Sequence, residues 1–303
     1  MSIINGIDLI GKLLERYEEQ HGKVDNYFGL LAYFGYAQAA IVGNKSEYLQ
    51  KCKDYLGQYP NNFEHPYYNF ESYRVGGNAK AWLLFKGMAP EWEKEIREYA
   101  EKTPTDQNGI LCHPLDATRQ RIWIDVVSGV TPFMLFSGLA LNEERYIDFA
   151  AEQCFKMYEV FLDQTCGLVH QARGFMQNPK RMSHDHWSRG NGWCMIGLTE
   201  LVHYLPADSR HREKAETYFV ELVNALIPYQ SEKGLWRQEL TEPLAWEESS
   251  GTGLFLYGIG VGIRTGLLKG ENYKDIFKKG IYALGTYCLN DDFSTHRSCP
   301  GCL

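Results

Sequence analysis

The sequence lacks any apolar run approaching the ~18 residues that a bilayer crossing needs, so no membrane span is expected. Its first twenty residues have neither a basic leader nor a small-residue cleavage site, and their apolar positions recur at helical spacing. That stretch reads as a helix rather than an export signal. The protein is therefore expected in the cytoplasm, with its eight cysteines as thiols. Basic runs are also missing: none exceeds two residues, as at Lys278-Lys279, and the net charge is −7. A nucleic-acid binder would show a basic stripe, so neither nucleic acid nor membrane is expected as a partner. There is no GxGxxG, GxxxxGK[ST], GxSxG or HExxH, which argues against the commonest nucleotide, serine-hydrolase and zincin chemistries. The pair Cys299-Pro-Gly-Cys302 stands alone. A closed zinc site needs four ligands, and only Cys288 and His296 lie near that pair, so no metal is expected there.

What is present is a helical pattern almost throughout 303 residues of ordinary globular composition, 44% hydrophobic and 23% charged. Aromatic residues reach 14%, with 20 Tyr and 7 Trp, which reads either as stacking faces for sugar rings or as a large aromatic core. One-sided amphipathic stretches fall at 4–20, 45–58, 90–103, 142–161, 209–230 and 273–289. Between them lie stretches apolar on all sides or rich in Gly and Ala, at 26–42, 74–88, 123–141, 190–205 and 248–268. A one-sided helix belongs on the outside and an all-round apolar helix inside. Alternation of the two along one chain predicts an all-α toroid of helical hairpins, a single domain over residues 1–303. Six outer and five inner helices are counted, so an (α/α)6 barrel lacking its last inner helix is expected. The oligomeric state, monomer or homodimer, stays open.

Three segments precede inner helices with a shared pattern of Gly, an aliphatic residue and then a polar side chain: 109–113, 167–171 and 234–238. Each reads as a short extended stretch at one end of the ring, aiming its polar group at the central cavity or serving only as turn chemistry.

Several residues there have the chemistry for a reaction. Asp125, beside Ile122, Trp123 and Ile124 at the head of an inner helix, reads either as an N-cap or as a general acid whose pKa is raised by desolvation. Glu71 is a candidate partner carboxylate, with a surface pair to Arg74 as the alternative. The segment 184–193 is the densest in function-prone residues. Arg189 presents a planar fork suited to a carboxylate, Trp187 and Trp193 offer stacking walls, and Gly190-Asn191-Gly192 suggests special backbone conformations rather than a packed helix. Glu248 opens the fifth inner helix in Trp246-Glu-Glu-Ser-Ser-Gly251, where Ser249 or Ser250 is the expected cap and the acids suit the helix dipole.

Together, Gln120-Arg-Ile-Trp-Ile-Asp125, Gly167-Leu-Val-His170, Trp187-Ser-Arg-Gly-Asn-Gly-Trp193, Gly234-Leu-Trp-Arg-Gln238 and Glu248-Ser-Ser-Gly251 resemble the unsaturated uronyl hydrolases of glycoside hydrolase families 88 and 105. Family 105, with its unsaturated rhamnogalacturonyl hydrolases, is the closer of the two. The resemblance implies an (α/α)6 barrel and, without a cofactor, hydration of the vinyl ether in a 4,5-unsaturated uronic acid at the non-reducing end of an oligosaccharide. It implies Asp125 as the acid, and His113, His170, Trp187, Arg189, Asn191, Trp193 and Glu248 around the substrate. The chain departs from the family at Glu71-Ser72, where an Asp pair is usual. Other readings on the same architecture are a saturated β-glucuronidase using Glu71 and Asp125, a sugar 2-epimerase using paired histidines, and a non-catalytic sugar-binding toroid.

Overall fold

The computed structural model describes residues 6–21, 27–58, 70–103, 105, 109–110 and 121–301. Among these, eleven α-helices alternate between two layers. The outer layer holds α1 (Gly6–His21), α3 (Ser46–Gly57), α5 (Glu93–Glu101), α7 (Glu144–Phe161), α9 (Arg212–Leu226) and α11 (Glu271–Tyr287). The inner layer holds α2 (Tyr27–Val42), α4 (Phe70–Phe85), α6 (Val126–Leu141), α8 (Ser188–Tyr204) and α10 (Ser249–Arg264). The burial pattern explains the layering. Every residue of α8 from Ser188 to Val202 is buried, as is every residue of α6 from Val126 to Gly138. By contrast α7 buries one stripe, including Tyr146, Ala150, Cys154, Tyr158 and Phe161.

The inner helices are neighbours in chain order, α2 on α4, α4 on α6, α6 on α8 and α8 on α10, with outer helices packed behind them. The expected toroid of outer and inner helices is what the chain forms. An ion pair of 2.8 Å between Arg16 on α1 and Asp292 beyond α11 links the first outer helix to the segment after the last. That segment is not helical among its described residues. It forms a bridge between Leu289 and Thr295 and then returns across the ring, so that Cys299 packs with Trp187 and Trp193.

Two short antiparallel ladders gather the N-terminal ends of three inner helices. β1 (Ile122–Trp123), which runs into α6, pairs with β2 (Ala172–Arg173). β3 (Trp236–Arg237) pairs with β4 (Glu247–Glu248), which runs into α10. The head of α8 joins the second ladder, because Trp187 bridges Glu239 and Ser188 N–H donates to the Gln238 carbonyl at 2.9 Å. Gly109, Gly167 and Gly234, which open the three expected extended segments, all have positive φ (74°, 78° and 105°), a turn that favours glycine.

The structure corrects the reading of Trp187–Trp193. The glycines there are not turn residues: Gly190 and Gly192 sit within the first two turns of α8 and neither has a positive φ. They are small because neighbours press close. A Cβ on Gly192 would lie 2.6 Å from Leu254 Cδ1, and one on Gly190 would lie 3.0 Å from Ile124 Cγ2. The same closeness sets Gly251 against α8, where an added Cβ would lie 2.7 Å from the Ser188 carbonyl carbon. Backbone cannot swing aside as a side chain does. Gly251→Ala should therefore destabilise the protein by about 1–3 kcal/mol, seen as a lower urea midpoint at unchanged m-value. An unchanged midpoint would show that the α8–α10 contact is looser than described.

Candidate active site

Asp125 stands at the N-cap position of α6 with helical backbone angles (φ −49°, ψ −33°), yet its side chain makes no capping hydrogen bond. Its carboxylate is therefore not spent on the helix end, and the capping alternative fails. One oxygen, Oδ2, is buried without a hydrogen-bond partner. Loss of water pushes the carboxyl up to about 6 from an ordinary 3.8. Its own backbone, the Arg189 charge and the Trp193 indole each pull it down, but desolvation prevails. The carboxyl can then hold a proton close to neutral pH.

Arg189 is the second residue of α8 and only 5% exposed. Its guanidinium lies over the Trp187 ring, 4.5 Å from the centroid. Nη1 donates to Ser250 Oγ at 3.1 Å and to the Cys299 carbonyl. Nε and Nη2 are buried with no partner. Those two nitrogens form the side edge of the planar fork, the edge that takes a carboxylate through two parallel hydrogen bonds. Leaving buried donors unpaired costs on the order of 1–3 kcal/mol each, so the open edge is a built feature. The indole N–H of Trp187 and Nδ1 of His170 are likewise buried and unpaired. His170 is held neutral, its pKa lowered by burial and by the neighbouring His186.

The local sequence places these groups through backbone contacts. The Ile124 N–H donates to the Gln171 carbonyl at 3.0 Å, extending the β1–β2 ladder and bringing the His170 segment to the head of α6. Trp187 ends the segment that joins the second ladder, so its ring and Arg189 follow at the head of α8. Trp193 lies one turn further, buried against Ile196 and Cys299.

Two residues expected at the substrate are occupied elsewhere. Asn191 is fully buried, its carbonyl accepting from Val169 N–H at 2.9 Å and its amide donating to the Val169 and Trp187 carbonyls at 3.0 and 3.1 Å. It clamps the 167–170 loop onto α8 and has no group left for a ligand. Glu248 is also fully buried and is itself the cap of α10, in place of the expected Ser249 or Ser250. It accepts from Ser188 Oγ (2.5 Å), Ser250 N–H (2.7 Å), Ser250 Oγ (2.6 Å) and Gly251 N–H (2.5 Å). Its carboxylate ties the heads of α8 and α10 together. Glu71 falls in the first turn of α4, and its side chain lies outside the described residues, as does His113. His184 is exposed and 2.6 Å from Arg181, while His186 is buried beside Asp163 at 3.1 Å. Asp163, Cys166 and Glu239, which flank His186, were not singled out in sequence. The Leu162–Val169 bridge, with the Asp163 N–H donating to the Leu168 carbonyl at 2.8 Å and the His170 N–H to the Phe161 carbonyl at 2.9 Å, brings Asp163 to this end.

The sequence matches the model of Glycosyl Hydrolase Family 88 over residues 13–299. An unsaturated 3S-rhamnoglycuronyl hydrolase of Formosa agariphila is 28% identical over 182 residues, covering 56% of this chain and 47% of the relative, so the chain spans about half that protein's length. An unsaturated rhamnogalacturonyl hydrolase, YesR, of Bacillus subtilis is 23% identical over 269 residues, covering 84% of this chain and 74% of the relative. Among solved structures, a possible member of family GH105 from Klebsiella pneumoniae superposes with a TM-score of 0.84 at 17% identity, covering 99% of this chain and 86% of the other. That likeness shows the fold: the toroid is of the kind found among GH105 structures. By the extent of the family-model match, the chain belongs to Glycosyl Hydrolase Family 88.

Proposed function

We propose that the protein removes a 4,5-unsaturated uronic acid from the non-reducing end of oligosaccharides left by a polysaccharide lyase. The observation that carries this reading is a desolvated carboxyl, Asp125, facing the charge of an arginine whose carboxylate-binding edge is open. The Nε/Nη2 edge of Arg189 takes the uronate carboxylate, and the Trp187 indole N–H and His170 take sugar hydroxyls. Asp125 donates its proton to C4 of the vinyl ether, leaving positive charge shared between C5 and the ring oxygen. Water adds at C5 and returns a proton to Asp125. The hemiketal then opens, and the neighbouring sugar leaves as its free alcohol. No bond at the anomeric carbon is attacked, so one carboxyl suffices and the two-carboxylate spacing of ordinary glycosidases is not needed. The names of the curated relatives favour rhamnose as the neighbouring sugar.

Lyase-generated unsaturated disaccharides give a direct test, because the conjugated double bond absorbs in the ultraviolet and hydration removes it. Wild type should erase the absorbance, fastest with rhamnose next to the uronate, and Asp125→Asn should lose about 10³-fold in kcat. Absorbance that stays constant with wild type would sink the reading. Arg189→Lys should raise KM by at least about tenfold, because an ammonium cannot reproduce a two-point contact.

Two pH effects follow from the raised carboxyl. The reaction needs Asp125 protonated, so kcat/KM should fall as pH rises through about 6. Stability runs the same way. The folded protein favours the neutral carboxyl, so this contribution is full below 3.8 and lost as pH rises through about 6. Asp125→Asn should thus be more stable than wild type at pH 7, by about 1–2 kcal/mol after allowing for solvent screening of a partly exposed group. Near pH 4 the two should match. Equal urea midpoints at both pH values would mean that Asp125 is not desolvated.

A further inference from the structure

We propose that Asp163, Cys166, His170 and His186 form a tetrahedral site for a zinc-class divalent cation, tying the loop after α7 to the segment that enters α8. It shares His170 with the proposed hydrolase site, through Nε2 rather than the unpaired Nδ1, and does not depend on that activity. It is also separate from the Cys299-Cys302 pair, whose second cysteine lies outside the described residues.

The geometry begins at Asp163. Its Oδ1 is spent on the backbone N–H and hydroxyl of Thr165, at 2.8 and 2.7 Å. That leaves Oδ2 facing His186 Nε2 at 3.1 Å and His170 Nε2 at 4.0 Å. Ligand atoms of Asp163, His170 and His186 all lie within 4.8 Å of one another. The Cys166 sulfur stands 3.6 Å from His186 Nε2. Zinc bonds of about 2.0–2.3 Å at tetrahedral angles put neighbouring ligand atoms about 3.3–3.6 Å apart. The Asp163–His186, Cys166–His186 and Asp163–His170 separations of 3.1, 3.6 and 4.0 Å lie on either side of that span, so a cation would draw His170 in toward the other ligands.

The surroundings fit as well. His186 is buried, and its other nitrogen, Nδ1, faces Thr241 Oγ1 at 3.4 Å and a Glu239 carboxylate oxygen at 3.9 Å. A carboxylate behind a histidine is the usual means of presenting Nε2 to a metal. Glu239 is itself fixed, accepting from His186 N–H at 2.7 Å and Thr241 Oγ1 at 2.6 Å. A simple Asp163–His186 hydrogen bond accounts for two of the four groups. It gives no reason for a second imidazole stacked on the first with centroids 5.0 Å apart, or for a thiol beside the same nitrogen.

Cobalt(II) is the probe, because tetrahedral cobalt colours strongly and a thiolate ligand adds a near-ultraviolet charge-transfer band. Full-length wild type should bind one equivalent with a tetrahedral spectrum, release it to zinc(II), and melt at a higher temperature with zinc present. His186→Gln and Asp163→Asn should each weaken cobalt binding by at least about tenfold and abolish the zinc-induced rise in Tm. Cys166→Ser should keep the cation and lose only the charge-transfer band, which separates loss of a ligand from loss of the fold. Folded wild type that takes up no cobalt overturns the site. So does a cobalt spectrum that persists unchanged in all three variants.

Discussion

A buried guanidinium satisfied on one side only is the constraint to which this end of the ring answers. A cation taken out of water needs compensation, and Arg189 draws it from the Trp187 face, the Ser250 hydroxyl and the Cys299 carbonyl. Those groups come from the residue that caps α8, from α10 and from the segment beyond α11, so one side chain holds three parts of the chain in register. Had Asp125 made a contact ion pair with Arg189, its carboxyl would sit below the ordinary range by 1–3 units. Instead it is pushed up to about 6. Desolvation outweighs the Arg189 charge, and the open edge of the arginine stays available for an anion brought in from outside.

The layered helices were legible because burial is written in periodicity. Outer α7 and inner α8 differ in how many sides of the helix are apolar, and that can be counted. Asp125 was legible for a related reason: a carboxylate flanked by Ile122, Trp123 and Ile124 has little water to turn to. The polar residues that misled did so because their partners lie far along the chain. Asn191 spends its amide on Val169, 22 residues away, and Glu248 meets Ser188 across 60 residues. Nothing local marks such a residue as consumed. The glycines of Trp187–Trp193 misled differently. Glycine serves both turns and close helix crossings, and only the positions of Leu254 and Ile124 decide between them.

The same logic accounts for what passed unnoticed. Asp163 follows an outer helix and looks like an exposed turn acid until the Leu162–Val169 bridge folds it back beneath His170 and His186. A side chain's role at this end of the toroid is set by the ladders that gather the helix heads, and those ladders are two residues long. Strands so short carry no alternating pattern to read.

The segment after α11 also bears on the order in which the molecule assembles. Its Asp292 reaches Arg16 across 276 positions, and its Cys299 carbonyl reaches Arg189 across 110. Contacts so distant along the chain are slow to form, because loop closure costs entropy before it gains anything. Hairpins of adjacent helices need only local closure, whereas the guanidinium meets the Cys299 carbonyl only once the 110 residues that follow it have been made. The Arg16–Asp292 pair and the Cys299 contact to Arg189 are therefore both late contacts.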